Sequence, residues 1–131
     1  MDPIRCLIAD DEPLMRDRMR ELLAAYSDFE LVAEAGNGAD ALEKFEATQP
    51  DVCFLDIRMP GLTGLEVMQA LSPAARVVCR VVFVTAYDQF AVQAFEQEAV
   101  DYLLKPIADE RLGACIERLK RARPQAPGAD D

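Results

Sequence analysis

Residues 52–56 read V-C-F-L-D, four consecutive apolar residues that end on a carboxylate. A short, continuously apolar run of this kind is typical of a strand buried on both faces, as in a parallel sheet. Runs of the same character occur at 4–9 and 81–84, and less regular ones occur at 31–35 and 102–104. The sequence therefore predicts five strands, three of which are buried on both faces.

The segments between these strands have a helical pattern, since their apolar residues recur about every 3.6 positions. Five helices are predicted. The first begins near Pro13, and the next three run over about 38–48, 65–71 and 89–98. The fifth has an apolar stripe over 112–119 and ends before Pro124. Pro73 is predicted to end the third helix. Residues 77–79 either extend the fourth strand backwards or belong to the loop before it. The alternation of strands and helices predicts an α/β fold in which right-handed crossovers place helices on both faces of a parallel sheet.

The length of 131 residues fits one domain. The composition, 51% hydrophobic and 29% charged, is that of a folded globular protein and excludes a disordered one. A formal net charge of −10 argues against this segment binding a nucleic-acid backbone. Because neither a membrane-spanning run nor a signal peptide is recognised, we expect a cytoplasmic protein. We expect a domain over 1–123 and, because residues 124–131 have no apolar period, a linker there toward an absent output domain.

The chain contains no histidine, which excludes histidine-based catalytic triads, metal sites and phosphocarriers. Its four cysteines, Cys6, Cys53, Cys79 and Cys115, are widely separated and form no C-x-x-C pair. We interpret them as small core residues in a reducing compartment rather than as metal ligands or redox groups. A reactive site must therefore use carboxylates, lysine, hydroxyl groups or thiols.

Polar residues follow four of the predicted strands where each strand ends. The acidic run 10–12 follows the first strand, Asp56 the third, Thr85 the fourth and Lys105 the fifth. Each of them alone has an ordinary structural role, such as capping a helix or ending a strand. Ligands of open parallel sheets bind beyond the carboxyl ends of the strands, so the combination predicts one functional site at this edge.

The charges of this edge predict its chemistry. Two carboxylates about 4 Å apart repel by about 4 kcal/mol at an effective dielectric constant of about 20, so the cluster needs cations. Lys105 offsets one charge, and Mg²⁺ is the divalent ion that suits a purely oxygen donor set. A carboxylate such as Asp56 can act as the nucleophile of phosphoryl transfer and form an acyl phosphate. Lys105 and the Thr85 hydroxyl would then contact the phosphoryl oxygens.

Four motifs resemble those of receiver domains of two-component response regulators. They are A-D-D-E-P at 9–13, L-D-I-R-M-P-G at 55–61, V-T-A at 84–86 and D-Y-L-L-K-P at 101–106. The likeness extends over about residues 4–120, nearly the whole chain. It implies a flavodoxin-like five-stranded parallel sheet with strand order 2-1-3-4-5.

The resemblance also implies roles for individual residues. Asp56 would accept a phosphoryl group from a sensor histidine kinase. Asp10, Asp11, Asp56 and the backbone carbonyl of Arg58 would hold Mg²⁺, and Lys105 would contact the phosphoryl group. Such a domain is a signal receiver rather than an enzyme, with self-phosphorylation and self-dephosphorylation as its only chemistry.

A conformational switch is implied by the same resemblance. Thr85 and Tyr102 would form the switch pair, with Tyr102 turning inward when Thr85 moves toward the phosphoryl group. Arg58 and Tyr87 occupy positions that influence how long the phosphoryl group survives. The peptide bond before Pro106 is expected to be cis.

The stretches 85–96 and 99–107 are similar to receivers of LytTR-type regulators, which include alginate-type transcriptional regulators. This narrower likeness implies a DNA-binding output domain beyond the chain and a role in transcription regulation. The fourth predicted helix is unusually apolar. Ala91, Ala94 and Phe95 are predicted to pack in the core. Phe90 and Val92 are predicted to point away from the core, where they could contribute to a homodimer through this helix and the fifth strand.

Three alternative functions compete with that of a receiver. A magnesium phosphatase of the haloacid-dehalogenase type needs a second acid two residues after the nucleophile, where this chain has Arg58. A flavin carrier on the same fold would place its phosphate against Asp10 and Asp11, which would repel it. A receiver that docks without being phosphorylated is disfavoured by the complete acidic set but stays open.

Overall fold

All five predicted strands form one parallel sheet in the computed structural model, which describes residues 2–121. The strands are β1 (Ile4–Ala9), β2 (Phe29–Ala35), β3 (Val52–Leu55), β4 (Arg80–Thr85) and β5 (Asp101–Leu104). The helices are α1 (Pro13–Ala24), α2 (Gly38–Thr48), α3 (Gly64–Ala70), α4 (Pro73–Val78), α5 (Ala91–Glu96) and α6 (Asp109–Arg121). The predicted α/β class is confirmed.

The strand order is β2-β1-β3-β4-β5, as the family resemblance implied. The direction of winding reverses at β1, which pairs with β2 on one side and β3 on the other. Ala9 lies opposite Leu55 in the β1–β3 register, and Thr85 lies opposite Leu104 in the β4–β5 register. Residues that directly follow these strands therefore leave the sheet side by side, at the switch point where ligands of such folds bind.

Helices cover both faces of the sheet. One apolar cluster joins the sheet to α1 and α6 through residues such as Met19, Leu23, Leu112 and Ile116. The other joins it to α2, α3, α4 and α5 through Ala41, Val67, Met68, Ala75 and Ala94. Residues on β1, β3 and β4 alternate between the two clusters, which is why these strands are apolar throughout.

Helix α4 corrects the sequence-based expectation. Pro73 was expected only to end the third helix, yet it begins a new one, and residues 77–79 complete α4 and its C-cap rather than extend β4. Proline is well suited to the first helical position because it has no N–H to satisfy there. The Ser72 hydroxyl accepts a hydrogen bond from the Ala75 amide and so caps this helix.

The fourth predicted helix is α5, and it is shorter than expected. Val92 is exposed as predicted, but Phe90 packs against the core, and Phe95 is 52% exposed although core packing was favoured for it. Leu104 on the neighbouring strand β5 is also exposed. We refer to Val92, Phe95 and Leu104 together as the α5–β5 surface.

None of the helices between residues 2 and 121 has the length and apolarity that crossing a lipid bilayer would require. The linker predicted for 124–131 lies outside the described residues, and the boundary at residue 123 stays a prediction. All four cysteines are free thiols and are buried, in keeping with their interpretation as core residues.

Candidate functional site

Two buried aspartates leave neighbouring strands at the switch point. The amide of Asp10 donates to the Ala35 carbonyl at 3.0 Å, and the amide of Asp56 donates to the Ala9 carbonyl at 2.8 Å. These bonds continue the sheet pattern by one residue beyond the strands and so fix the backbone of both aspartates. Asp10 is 3% exposed and Asp56 is 5% exposed.

The predicted carboxylates come together. One oxygen from each of Asp10, Asp11, Glu12 and Asp56 lies within 4.8 Å of the others, an arrangement that could hold a metal ion. Asp10 and Asp56 are buried whereas Asp11 and Glu12 are exposed, so the cluster is open to solvent on one side. A purely carboxylate donor set fits Mg²⁺, which binds one or two carboxylates and keeps several waters.

Lys105 contacts three members of this cluster. Its Nζ lies 2.8 Å from Asp10 Oδ2, 3.0 Å from Glu12 Oε1 and 3.1 Å from Asp56 Oδ2. Its own amide donates to the Thr85 carbonyl at 2.9 Å, which holds it beside the end of β4. The Lys105–Pro106 bond is cis, as expected.

The pKa values of the cluster reflect both burial and charge. Burial alone would lower the pKa of Lys105, but its hydrogen bonds to Asp10 and Glu12 and the charge of Asp56 outweigh that effect and raise it. Burial raises the pKa of Asp56, and the charge and hydrogen bond of Lys105 oppose this only in part. Lys105 therefore stays protonated, whereas the charged form of Asp56 is disfavoured without a further cation.

Thr85 and Tyr102 lie at the adjacent strands β4 and β5. Thr85 is fully buried, and its Oγ1 has no hydrogen-bond partner among residues 2–121. A buried hydroxyl without a partner is costly unless another group supplies the bond. Tyr102 is 8% exposed and its hydroxyl donates to the Tyr87 carbonyl. Tyr102 is expected to turn inward when Thr85 moves toward a phosphoryl group. In this structure Tyr102 already has a buried position.

Arg58 is exposed next to the cluster. Its amide donates to Asp56 Oδ1 at 3.3 Å. Its guanidinium carbon lies 4.5 Å from the centre of the Tyr87 ring and 6.0 Å from that of Phe90. The two positions expected to influence phosphoryl lifetime thus contact each other, and the same Tyr87 accepts the hydroxyl of Tyr102. Ligation by the Arg58 carbonyl stays a prediction.

Two residues of the site were given no role from the sequence. Glu12 belongs to the acidic run predicted at this edge, and the structure shows that it contacts Lys105. Gly64 begins α3 directly behind Asp56, and a Cβ there would overlap the Asp56 carbonyl oxygen and lie 3.0 Å from its carbonyl carbon. Only glycine therefore lets α3 pack this close to the loop that carries Asp56. The capping pair of Thr63 and Glu66 predicts that a helix begins at Gly64, but it does not predict the close approach to Asp56.

A family model described as response regulator receiver domain matches residues 6–117. An uncharacterised response regulatory protein of Vibrio cholerae is 50% identical over 127 residues, which cover 95% of this chain and 48% of the relative. The transcriptional regulatory protein BtsR of Escherichia coli is 45% identical over 120 residues, covering 92% of this chain and 49% of BtsR. The chain spans about half the length of the curated relatives it matches.

Solved receivers have the same fold. The signal receiver domain of the putative response regulator NarL from Mycobacterium tuberculosis has a TM-score of 0.81 and 33% identity, covering 95% of this chain and all 100% of the other. A LuxR-family DNA-binding response regulator from Staphylococcus aureus has a TM-score of 0.79 and 32% identity, covering 88% and 98%. These relatives do not support the narrower LytTR assignment, since the ones described here are named BtsR, NarL or LuxR family.

Proposed function

The chain belongs to the response regulator receiver domain family, and from that premise we propose that it is a phosphorylation-dependent switch in transcription regulation. Asp56 accepts a phosphoryl group from a sensor histidine kinase, and the change is passed to an output domain. The observation that carries the proposal is the cluster of four carboxylates within 4.8 Å that Lys105 contacts at three points.

Asp56 is the proposed phosphoacceptor because it is the buried carboxylate that both Lys105 and the Arg58 amide contact. A carboxylate oxygen of Asp56 attacks the phosphorus of a phosphohistidine on the kinase. A phosphorus–oxygen bond forms while the phosphorus–nitrogen bond breaks, and an acyl phosphate remains on Asp56. Lys105 stabilises the negative charge that the phosphoryl oxygens carry.

The proposed ligands of Mg²⁺ are Asp10, Asp11, Asp56 and the backbone carbonyl of Arg58. Their donor atoms are all oxygens, and the carboxylates among them lie within the span that one ion bridges. Bound Mg²⁺ would neutralise charge on the carboxylates and on the phosphoryl oxygens. Asp10 keeps its ion pair with Lys105 on the buried side, while Asp11 supplies its carboxylate from the exposed side.

The proposed switch pair is Thr85 and Tyr102. The Thr85 hydroxyl, which lacks a partner among the described residues, donates to a phosphoryl oxygen. This bond draws Thr85 toward Asp56 and favours the buried position of Tyr102, whose hydroxyl contacts the Tyr87 carbonyl. The local bond thereby biases a two-state element that includes α5 and β5.

For the whole protein we propose a transcription regulator in the cytoplasm. The curated relatives are about twice as long as this chain, and one is the transcriptional regulatory protein BtsR. DNA is bound by a domain outside the 131 residues, since the net charge of −10 does not suit a nucleic-acid surface. Phosphorylation promotes a homodimer through the α5–β5 surface.

Incubation with acetyl phosphate and Mg²⁺, followed by intact mass measurement, tests the proposal. We expect a gain of one phosphoryl group that is lost in Asp56→Asn and in the presence of EDTA. Glu46→Gln, which removes an exposed carboxylate of α2 outside the cluster, is the matched control and should retain the gain. A chain that hydrolyses a phosphate monoester over many turnovers would be a phosphatase, and one that gains no mass from acetyl phosphate would be a docking receiver.

A further inference from the structure

Two buried thiols meet on the face of the sheet that carries α4. Cys53 on β3 and Cys79 at the C-cap of α4 are each 2% exposed, and their Sγ atoms are 3.3 Å apart. Both side chains belong to the same apolar cluster. A disulfide has a sulfur–sulfur distance of about 2.05 Å, so the two sulfur atoms would have to approach each other by about 1.2 Å to form one.

We propose that Cys53 and Cys79 form a latent disulfide, a site of reversible oxidation that links β3 to the end of α4. The other two cysteines, Cys6 and Cys115, belong to the apolar cluster on the opposite face of the sheet. The bond would close the segment 53–79, which contains Asp56, α3 and α4. This inference is independent of phosphorylation.

Access to the pair runs through α4. Cys79 lines two surface cavities, one of about 490 Å³ beside Arg76 and one of about 260 Å³ beside Val78. Helix α4 has six residues, and a helix this short is not stable by itself, so its packing and the Ser72 cap hold it in place. Local opening of α4 would bring Cys79 to solvent without unfolding the sheet.

The two thiols are protected from oxidation while α4 covers them. The hydrogen bond with Cys79, together with burial, raises the pKa of the Cys53 thiol well above its ordinary value. A thiol reacts as its thiolate, so the Cys53 thiol is unreactive while it is buried, and Cys79, which is 2% exposed, is not accessible to an oxidant until α4 opens. The rate of oxidation should therefore follow the opening of α4.

The reaction needs a hydroperoxide as oxidant. The O–O bond of the hydroperoxide breaks, one oxygen joins the Cys79 sulfur as a sulfenic acid, and the other leaves as water or an alcohol. The Cys53 sulfur then attacks the Cys79 sulfur, and the S–O bond breaks. Water leaves with the Cys53 proton. Two electrons pass from the two thiols to the hydroperoxide, and a dithiol reductant reverses the bond.

Exposure of the 131-residue chain to hydrogen peroxide tests the site. We expect the number of thiols alkylated after denaturation to fall from four to two, with a loss of two hydrogens in intact mass and recovery on reduction. Cys53→Ala and Cys79→Ala should form no intrachain disulfide, whereas Cys6→Ala and Cys115→Ala should still lose two thiols. Four thiols that stay alkylatable, or a disulfide mapped to another pair, would overturn the proposal.

A pair of capping variants tests the route. Ser72→Ala removes the cap of α4 and should speed disulfide formation about fivefold, the effect expected of one lost cap. Asn37→Ala removes the equivalent cap of α2 and should leave the rate unchanged. An unchanged rate in Ser72→Ala would rule out access through α4. Circular dichroism before oxidation shows whether each variant is folded.

Discussion

Asp56 and Asp101 are both buried aspartates, yet the pKa of Asp56 is raised and that of Asp101 is lowered. Burial raises the pKa of Asp56, and Lys105, shared with Asp10 and Glu12, opposes the rise only in part. Burial would also raise the pKa of Asp101, but its hydrogen bonds with Arg111 and the Tyr102 amide outweigh burial and lower it. The carboxylate whose charge is less well compensated is the one at the candidate site, which fits the metal binding proposed for Asp56.

Replacing Asp56 by asparagine should stabilise the protein at neutral pH in metal-free buffer. An acid whose folded pKa lies above its ordinary value of 3.8 loses stability as pH rises through the interval between the two. Asp56→Asn removes this loss, so its urea midpoint should exceed that of the wild type at pH 7 and match it at about pH 3. Glu46→Gln should have the wild-type midpoint at both pH values. A lower midpoint for Asp56→Asn at pH 7 would contradict this account.

Gly64 is a residue whose role no sequence pattern stated. Its importance comes from the approach of α3 to the Asp56 carbonyl, a contact between residues that the chain brings together only in three dimensions. Asp56, Thr85 and Lys105 could be found because each directly follows an apolar run. Glu12 could not be told from a solvated first-turn acid, since only the position of Lys105 distinguishes the two.

Gly64→Ala should displace the loop that carries Asp56. The added Cβ overlaps backbone atoms, which cannot move aside cheaply, so we expect a loss of about 2 kcal/mol in unfolding free energy. Phosphorylation by acetyl phosphate should slow on the order of tenfold or more, because Asp56, the proposed nucleophile, is displaced. Gly113→Ala is the matched control. Its Cβ would lie 3.5 Å from the Tyr26 hydroxyl, so this variant should gain about 0.5–1 kcal/mol in helix α6 and phosphorylate normally. Equal phosphorylation rates in the two variants would refute the positioning role.

At the scale of elements, β5 is attached to α6 by an ion-pair group that the sequence did not predict. Asp101 at the start of β5 is 1% exposed and contacts Arg111 at 2.5 and 3.1 Å and Arg118 at 3.2 Å. Arg118 belongs to the basic last turn of α6, and cations at a helix C-terminus need no partner elsewhere in the fold. The partner of Arg118 is distant in the chain, so only the packed structure identifies it.

Asp101→Asn should destabilise the protein by about 2 kcal/mol at pH 7, the usual magnitude for charged hydrogen bonds. Because the folded pKa of Asp101 lies below its ordinary value of 3.8, the wild type holds this stability above pH 3.8 and loses it as pH falls through the folded pKa. The difference between variant and wild type in urea unfolding should therefore shrink in acid. Asp28→Asn breaks an exposed pair with Lys120 and should cost less than about 1 kcal/mol. A cost for Asp101→Asn that is independent of pH would argue against the ion pair.

Helix α4 marks where element prediction failed, and the reason is local. Pro73 signals both the end of one helix and the first position of another, and the six residues of α4 are too few for a clear apolar period. The long strands and α6 were predictable because their apolar stripes are complete. Phe95 was misplaced because α5 has only six residues, so a small error in its start changes which side chains face solvent.

At the scale of the molecule, the strand order of the sheet followed from the family resemblance. The apolar pattern alone predicted only the α/β fold class. The same pattern indicated that the fourth predicted helix was too apolar for a solvated face. Val92 is 69% exposed, Phe95 52% and Leu104 46%, and they lie on two neighbouring elements. Exposed apolar residues grouped in this way are typical of a contact surface.

Binding of beryllofluoride with Mg²⁺, which imitates the phosphoryl group, should shift the chain toward a dimer in sedimentation velocity. Val92→Glu should weaken that dimer at least tenfold, since symmetry would bring two like charges into the contact. It should leave the mass gain with acetyl phosphate unchanged, because Val92 lies outside the acidic cluster. Val78→Glu places the same charge on the exposed face of α4 and should dimerise like the wild type. A wild-type chain that stays monomeric with beryllofluoride at every concentration tested would contradict dimerisation through the α5–β5 surface. That result would not contradict phosphorylation of Asp56.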